Sequence, residues 1–251
     1  MEGQPATRTT LTAAFQRLPL GAIPGFAAGF TRGPLAAASL GPEAAARALA
    51  AALGAPDAET VLVHQVHGHA ILPFEAPARK RGYSLLGEGD GLLTSQPNVL
   101  LAVESADCVP VVLADPMTGW IAAVHAGWRG TAARVLDAAL DALAARGVRL
   151  GSLFAAFGPS ISRDRYEVGP EVVTALLDAY GAAPEGALAS GADGKTFLDV
   201  AAFNEAALLA RGVDPERIAA GGLCTAGTPD LPSWRRDGPG AGRILTGIVR
   251  R

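Results

Sequence analysis

Short apolar runs and longer Ala/Leu-rich runs alternate along the chain, and the two patterns predict different elements. TVLVHQV (60–66), DGLLTS (90–95), NVLLAVE (98–104), CVPVVLA (108–114) and WIAAVHA (120–126) are of strand length. They are rich in β-branched residues and bounded by Gly, Pro, Asp or Asn, as strands are. SLFAAFG (152–158) and RILTGIV (243–249) are later strand candidates. EAAARALAAAL (43–53), PEVVTALLDAYG (170–181) and DVAAFNEAALLARG (199–212) read as helices. So does TAARVLDAALDALAARG (131–147), whose apolar residues recur at a spacing of 3–4 before Gly147 stops it. Helices mostly follow strands, which predicts a mixed α/β (α+β) single domain over 1–251, with no internal repeat. The Gly/Ala-rich stretch 181–194 reads as a long surface loop, and PDLPSWRRDGPGAGR (229–243) as an ordered loop around Arg235 and Arg236.

Composition narrows the function classes. With 49% hydrophobic and 18% charged residues, the chain buries a substantial core. A net charge of -3 leaves no basic footprint for nucleic acid. No apolar run approaches the roughly 18 residues of a membrane span. The start MEGQPATRTTLTAAF lacks the pattern of a secretory signal. The expectation is a cytoplasmic protein without nucleic-acid or membrane partners. In a reducing compartment Cys108 and Cys224 suit thiol chemistry or metal binding better than a disulfide. Of four histidines, His64, His67 and His69 crowd into HQVHGH, and His125 stands in VHAGWRG (124–130).

Three stretches place metal-capable side chains at the edges of predicted strands: HQVHG (64–68), SADCVPVVLAD (105–115) and VHAGWRG. Their spacing is not that of a zinc finger; it suits three neighbouring strands of one sheet. His67, Cys108 and His125 would supply three ligands for Zn²⁺ and leave the fourth position open, as catalytic zinc requires. Asp107 would then orient or deprotonate a water. Two other readings stand beside this one. Cys108 is an inert buried hydrophobe, or it is the nucleophile of a cysteine hydrolase activated by His125 or His67, with Asp107 or Asp115 orienting the imidazole. Arg129, just before a helix predicted to begin near Gly130 or Thr131, suits an anion, as do Arg32 in GFTRGP and Arg235, Arg236 and Arg243 in the Gly-rich loop. Solvated surface arginines are the plain alternative. Trp128 stacks on a base or simply packs.

Taken together, QVHG (65–68), ADCVPVVLAD (106–115), VHAGWRG, GPSIS…YEVGPEV (158–172), FLDV…FN (197–204), CT (224–225) and SWRRDG…GR (233–243) resemble the YfiH-type, laccase-domain ("polyphenol oxidase") proteins, over roughly residues 60–250. The resemblance implies a cytotoxic-necrotising-factor/YfiH-like fold of mixed sheets flanked by helices. It implies zinc at His67, Cys108 and His125. It also implies phosphorolysis of adenosine, inosine, guanosine and methylthioadenosine, together with adenosine deamination, so that purine nucleosides and phosphate are the partners. Asp107, Arg129 and the arginines of SWRRDG match motif positions. FTRGPLAAASLG (30–41) departs from the family pattern, with Gly41 where Asn is expected and Arg32 as the matching arginine; His64 is not a regular family feature. Copper at the same trio is possible in vitro, since Cu²⁺ outcompetes Zn²⁺ on raw affinity. Four histidines cannot furnish the coupled copper centres of a true laccase.

Overall fold

Two mixed six-stranded sheets stacked face to face, with helices on both outer faces, form the body of the protein. The computed structural model describes residues 14–20, 23–33, 41–77 and 80–251. The first sheet runs in the order β1-β2-β15-β7-β3-β5. Its strands are β1 (Phe15–Arg17), β2 (Phe26–Thr31), β3 (Glu59–His64), β5 (Tyr83–Glu88), β7 (Val99–Ser105) and β15 (Ile244–Arg250). The second runs β14-β10-β8-β9-β6-β4. It comprises β4 (Ile71–Pro73), β6 (Gly91–Thr94), β8 (Val109–Ala114), β9 (Ile121–Ala126), β10 (Phe154–Phe157) and β14 (Ile218–Ala219). A small third sheet pairs β13 (Thr196–Leu198) with β11 (Glu167–Val168) and β12 (Leu188–Ser190).

Strand period sorts the core into layers. On β7, Val99, Leu101 and Val103 meet Val112, Ala114, Ile121 and Ala123 of the second sheet, closing the space between the sheets. The alternate residues Leu100 and Ala102 pack outward on Ala46, Leu49 and Leu53 of the segment that begins with helix α1 (Pro42–Ala52). Val109, Val111, Leu113, Ala122 and Val124 face the other way, onto α3 (Val135–Ala144) and α5 (Val200–Ala210). Because both faces of the central strands are covered, their sequences are continuously apolar rather than alternating. The mixed α/β expectation holds.

Several expectations change in detail. The helix expected over 131–147 is two: α2 (Trp128–Ala132) and α3, broken at Arg134, which is left-handed at φ 63°. Arg134 is held there by Asp137 at 2.9 Å and by stacking 4.1 Å over Tyr180 of α4 (Pro170–Tyr180). The expected loop 181–194 contains β12, and the 229–243 loop contains a short helix, α6 (Trp234–Asp237). β2 was not foreseen because FAAGFT carries little β-branched character; pairing with β1 and β15 imposes the strand. Of the stretch 30–41 discussed above, residues 34–40 lie outside the described residues, as do residues 1–13 of the N-terminus. No helix among the described residues is long and apolar enough to cross a membrane.

Candidate metal centre and its cavity

Strand register brings the key residues together. β8 and β9 are antiparallel with Val109 opposite Ala126, so the next pair outward is Cys108 and Gly127. β6 and β9 are antiparallel with Gly91 opposite Val124, which sets Asp90 beside His125. The His125 amide indeed donates to the Asp90 carbonyl at 2.7 Å. His67 arrives from the other sheet, in the loop after β3, and Cys108 lies where the chain crosses from β7 to β8. The trio therefore draws on both sheets, not on three neighbouring strands of one sheet as the spacing suggested.

The ligand atoms of His67, Cys108 and His125 all lie within 4.8 Å of one another. Cys108 Sγ is 4.0 Å from His67 Nε2. Ligand bond lengths for tetrahedral zinc place sulfur and nitrogen about 3.6 Å apart, so a small inward movement of the side chains closes the set. Exposure is graded: His67 is exposed, Cys108 half-buried and His125 buried at 2%. One face of the trio is thus open. Gly127 is required by space rather than by conformation: a Cβ there would stand 2.9 Å from Cys108 Sγ and 3.2 Å from His67. In the same way, a Cβ on Gly130 would stand 2.9 Å from the Gly68 carbonyl oxygen.

Asp90 organises this corner, and sequence reasoning passed over it. The carboxylate, fully buried, accepts from the amides of Val66, His67 and Gly68 at 3.3, 2.9 and 2.6 Å. Those three successive N–H groups wrap it while His67 sits at φ 59°, a left-handed conformation uncommon outside glycine. Oδ1 also takes the Nδ1 proton of His125 at 2.9 Å, leaving Nε2 to face Cys108. Burial works against the charge on Asp90. The hydrogen bonds from His125 and the Gly68 amide nevertheless hold its carboxyl below the usual range. Burial likewise opposes a charged Cys108, yet hydrogen bonds and charge from His125 and His67 draw its thiol down to about 6. His125 is raised to about 9, its burial outweighed by Asp90 and Cys108. The only sequence signal for Asp90 is an acid between two glycines leading the short strand GLLT.

The trio opens into a cavity of about 690 Å³, within the range of small-molecule sites. Arg129, Arg235, Arg243, Tyr166, Trp128 and Trp234 line it. Arg129 stands in the first turn of α2, which begins at Trp128, earlier than expected, and its guanidinium stacks 4.3 Å over the Trp128 ring. It makes no ion pair among the described residues. Arg235 lies 5.0 Å over Tyr166 and donates to the Glu167 carbonyl. Burial first, and then the Cys108 charge, push the Tyr166 phenol to about 12, so it stays a neutral donor.

Asp107, at φ 92°, also lines the cavity, and its carboxylate accepts from Thr225 Oγ1 at 2.5 Å and from the Arg235 amide at 2.7 Å. Two expected anion-binding arginines do not line the cavity. Arg32 is bidentate to Asp230, both contacts at 2.9 Å. Arg236 is tied to Asp237 and to the carbonyls of Thr225, Thr228 and Leu231. Both guanidiniums have protein partners that satisfy them. Cys108 and Cys224 are free thiols.

Residues 43–251 match the family model described as multi-copper polyphenol oxidoreductase laccase. A purine nucleoside phosphorylase of Deinococcus radiodurans is 38% identical, over 81% of this chain and 76% of its own. Adenosine deaminase RL5, from an unknown prokaryotic organism, is 38% identical over 64% of this chain, and the matched part spans 62% of its length. The crystal structure of YlmD from Geobacillus stearothermophilus superposes with a TM-score of 0.79 at 28% identity, covering 99% of this chain and 98% of that one. The chain belongs to the multi-copper polyphenol oxidoreductase laccase family.

Proposed function

We propose that this protein is a cytoplasmic, zinc-dependent purine nucleoside phosphorylase that also deaminates adenosine, with adenosine, inosine, guanosine and methylthioadenosine as phosphorolysis substrates. One observation carries the reading. An open His–Cys–His set, its buried histidine oriented by a carboxylate, faces a cavity edged with arginines. The names of the relatives support the choice of reaction. Both free cysteines accord with a reducing compartment. The donor set fits zinc: borderline-soft N and S ligands, three of them, with a fourth position facing the cavity. When bound, zinc supplies a Lewis acid at that position.

The chain's own residues do the rest. His67, Cys108 and His125 are the metal ligands, with Cys108 as thiolate. Arg129 and Arg235 hold the phosphate, each braced on an aromatic ring, so that little side-chain freedom is lost on binding. Tyr166 donates a hydrogen bond beside them. In phosphorolysis a phosphate oxygen attacks the ribose anomeric carbon as the base departs. In deamination a water adds to the purine carbon and ammonia leaves. Asp107 acts as a positioning residue, fixing the Arg235 backbone and Thr225.

A second reading rests on one arrangement. Cys108, His125 and Asp90 stand in the order nucleophile, base and orienting acid, as in a cysteine hydrolase, with Asp90 rather than Asp107 or Asp115 on the imidazole. A laccase is disfavoured because His64 and His69 are the only histidines beyond the trio. Incubating metal-analysed protein with adenosine, with and without phosphate, separates these. Adenine with ribose 1-phosphate supports the phosphorylase and inosine the deaminase. No turnover alongside substoichiometric metal returns the hydrolase.

A further inference from the structure

The cavity has a second polar pole that the mechanism above does not use. Glu104, at the end of β7, lines it half-buried. Its carboxylate accepts no hydrogen bond and joins no ion pair among the described residues. Its backbone is nonetheless clamped: Gln65 Nε2 donates to the Glu104 carbonyl and Gln65 Oε1 accepts from its amide, both at 2.7 Å. With its backbone fixed and its carboxylate unpaired at the cavity wall, Glu104 has its acceptor oxygens free for a ligand. The next hydroxyl, Ser105 Oγ, lies in a residue only 2% exposed and also has no partner. Beside Glu104 the lining is aromatic and aliphatic, with Tyr83 and Leu85 of β5 and Leu62 of β3. Burial raises the Glu104 carboxyl above its usual value, and Arg243 opposes this from beyond ion-pairing distance.

The charges of the cavity favour one orientation of a ligand, since Arg243 near the Glu104 end is engaged by the Ala241 and Gly242 carbonyls. An anion is drawn to Arg129 and Arg235 and repelled from a carboxylate. A flat heteroaromatic ring with a donor–acceptor edge suits an apolar wall carrying a single carboxyl. A carboxylate accepts from the amino group of a 6-amino purine or from the N1–H of a 6-oxo purine. Glu104 and Cys108 are four residues apart, at most about 14 Å of extended chain, so one nucleoside can touch both regions.

We propose that Glu104 reads the hydrogen-bonding edge of the nucleobase, with the base against β5 and the anomeric carbon toward the His67–Cys108–His125 end. This rests on the phosphorylase reading. The test uses metal-loaded protein, adenine binding by calorimetry, and steady-state kinetics with adenosine and with phosphate. Glu104→Leu should raise the adenine Kd and the adenosine KM about tenfold or more, the loss of one or two good hydrogen bonds. Its kcat, metal content and phosphate KM should stay near wild type. Glu104→Gln keeps an acceptor oxygen in one flat group and should restore binding. An unchanged adenosine KM in active Glu104→Leu overturns the inference, as does an equal loss of phosphate affinity. A measurement without variants guards against misfolding: 1-methylinosine, whose edge is blocked, should bind wild type about tenfold more weakly than inosine, and equal binding overturns the inference. Wild-type protein that turns over no nucleoside overturns instead the reading beneath it.

Discussion

The cavity has two sides, and each is organised by one buried aspartate. On the metal side, Asp90 collects three backbone amides and the Nδ1 proton of His125. On the arginine side, Asp107 collects the Thr225 hydroxyl and the Arg235 amide. Neither carboxylate need touch substrate. The difference lies in what each one holds: Asp90 holds the His125 ring, whereas Asp107 holds the Arg235 backbone and Thr225. The same side chain in the same kind of burial should therefore fail in different ways when neutralised.

The bluntest way to break the metal side is to remove a ligand. Cys108→Ser should lose its metal and more than about a hundredfold in activity, because merely disturbing the groups that orient ligands costs about 10–100-fold. Metal analysis and nucleoside turnover on one preparation check this. Next come the two aspartates. Asp90→Asn presents an amide group to a ring of donors, so either the 66–68 amides or His125 Nδ1 loses its acceptor and the ring is no longer held as before. Metal affinity should fall about 10–100-fold. Asp107→Asn, which also tolerates a left-handed backbone, should keep full metal content and raise the phosphate KM a few-fold. Chelator competition and phosphate titration of both variants would separate them; equal metal loss in both would erase the distinction.

The arginines sharpen the same comparison. Arg129→Ala and Arg235→Ala should each raise the phosphate KM about tenfold, the worth of a charge-assisted hydrogen bond. Arg32→Ala should leave that KM unchanged, since its partner is Asp230, and should cost about 0–1 kcal/mol of stability as a partly exposed ion pair. Smallest and most local is the thiol itself. In metal-free protein, alkylation of Cys108 should rise with pH through about 6, because burial is outweighed there by His125 and His67. An ordinary thiol titrates near 8.5. Peptide mapping distinguishes Cys108 from Cys224, and metal should abolish the reaction at Cys108.

What was legible follows from how local each signal is. The trio could be read because histidine and cysteine are rare here and stand beside continuous apolar strands. The glycines of VHAGWRG could be read as a turn, but not as the clearance around Cys108 Sγ, which depends on strand register. Asp90 was hidden for the same reason. Its partners come from the loop after β3 and the end of β9, and an aspartate at the start of DGLLTS reads as simple turn chemistry. Arg32, Arg129, Arg235 and Arg236 looked alike in sequence. Only tertiary structure shows that two face the cavity while two are satisfied by Asp230, Asp237 and loop carbonyls. The short strands β1, β2, β5 and β12 exist through pairing rather than propensity.

In the proposed function His67, Cys108 and His125 hold one catalytic metal whose geometry depends on Asp90. Elemental analysis of purified protein, followed by stepwise chelation with adenosine turnover measured at each step, tests it most directly. One zinc per chain is expected, with activity that falls in proportion to zinc removed and returns on its addition. Full turnover by protein stripped of all metal would contradict it.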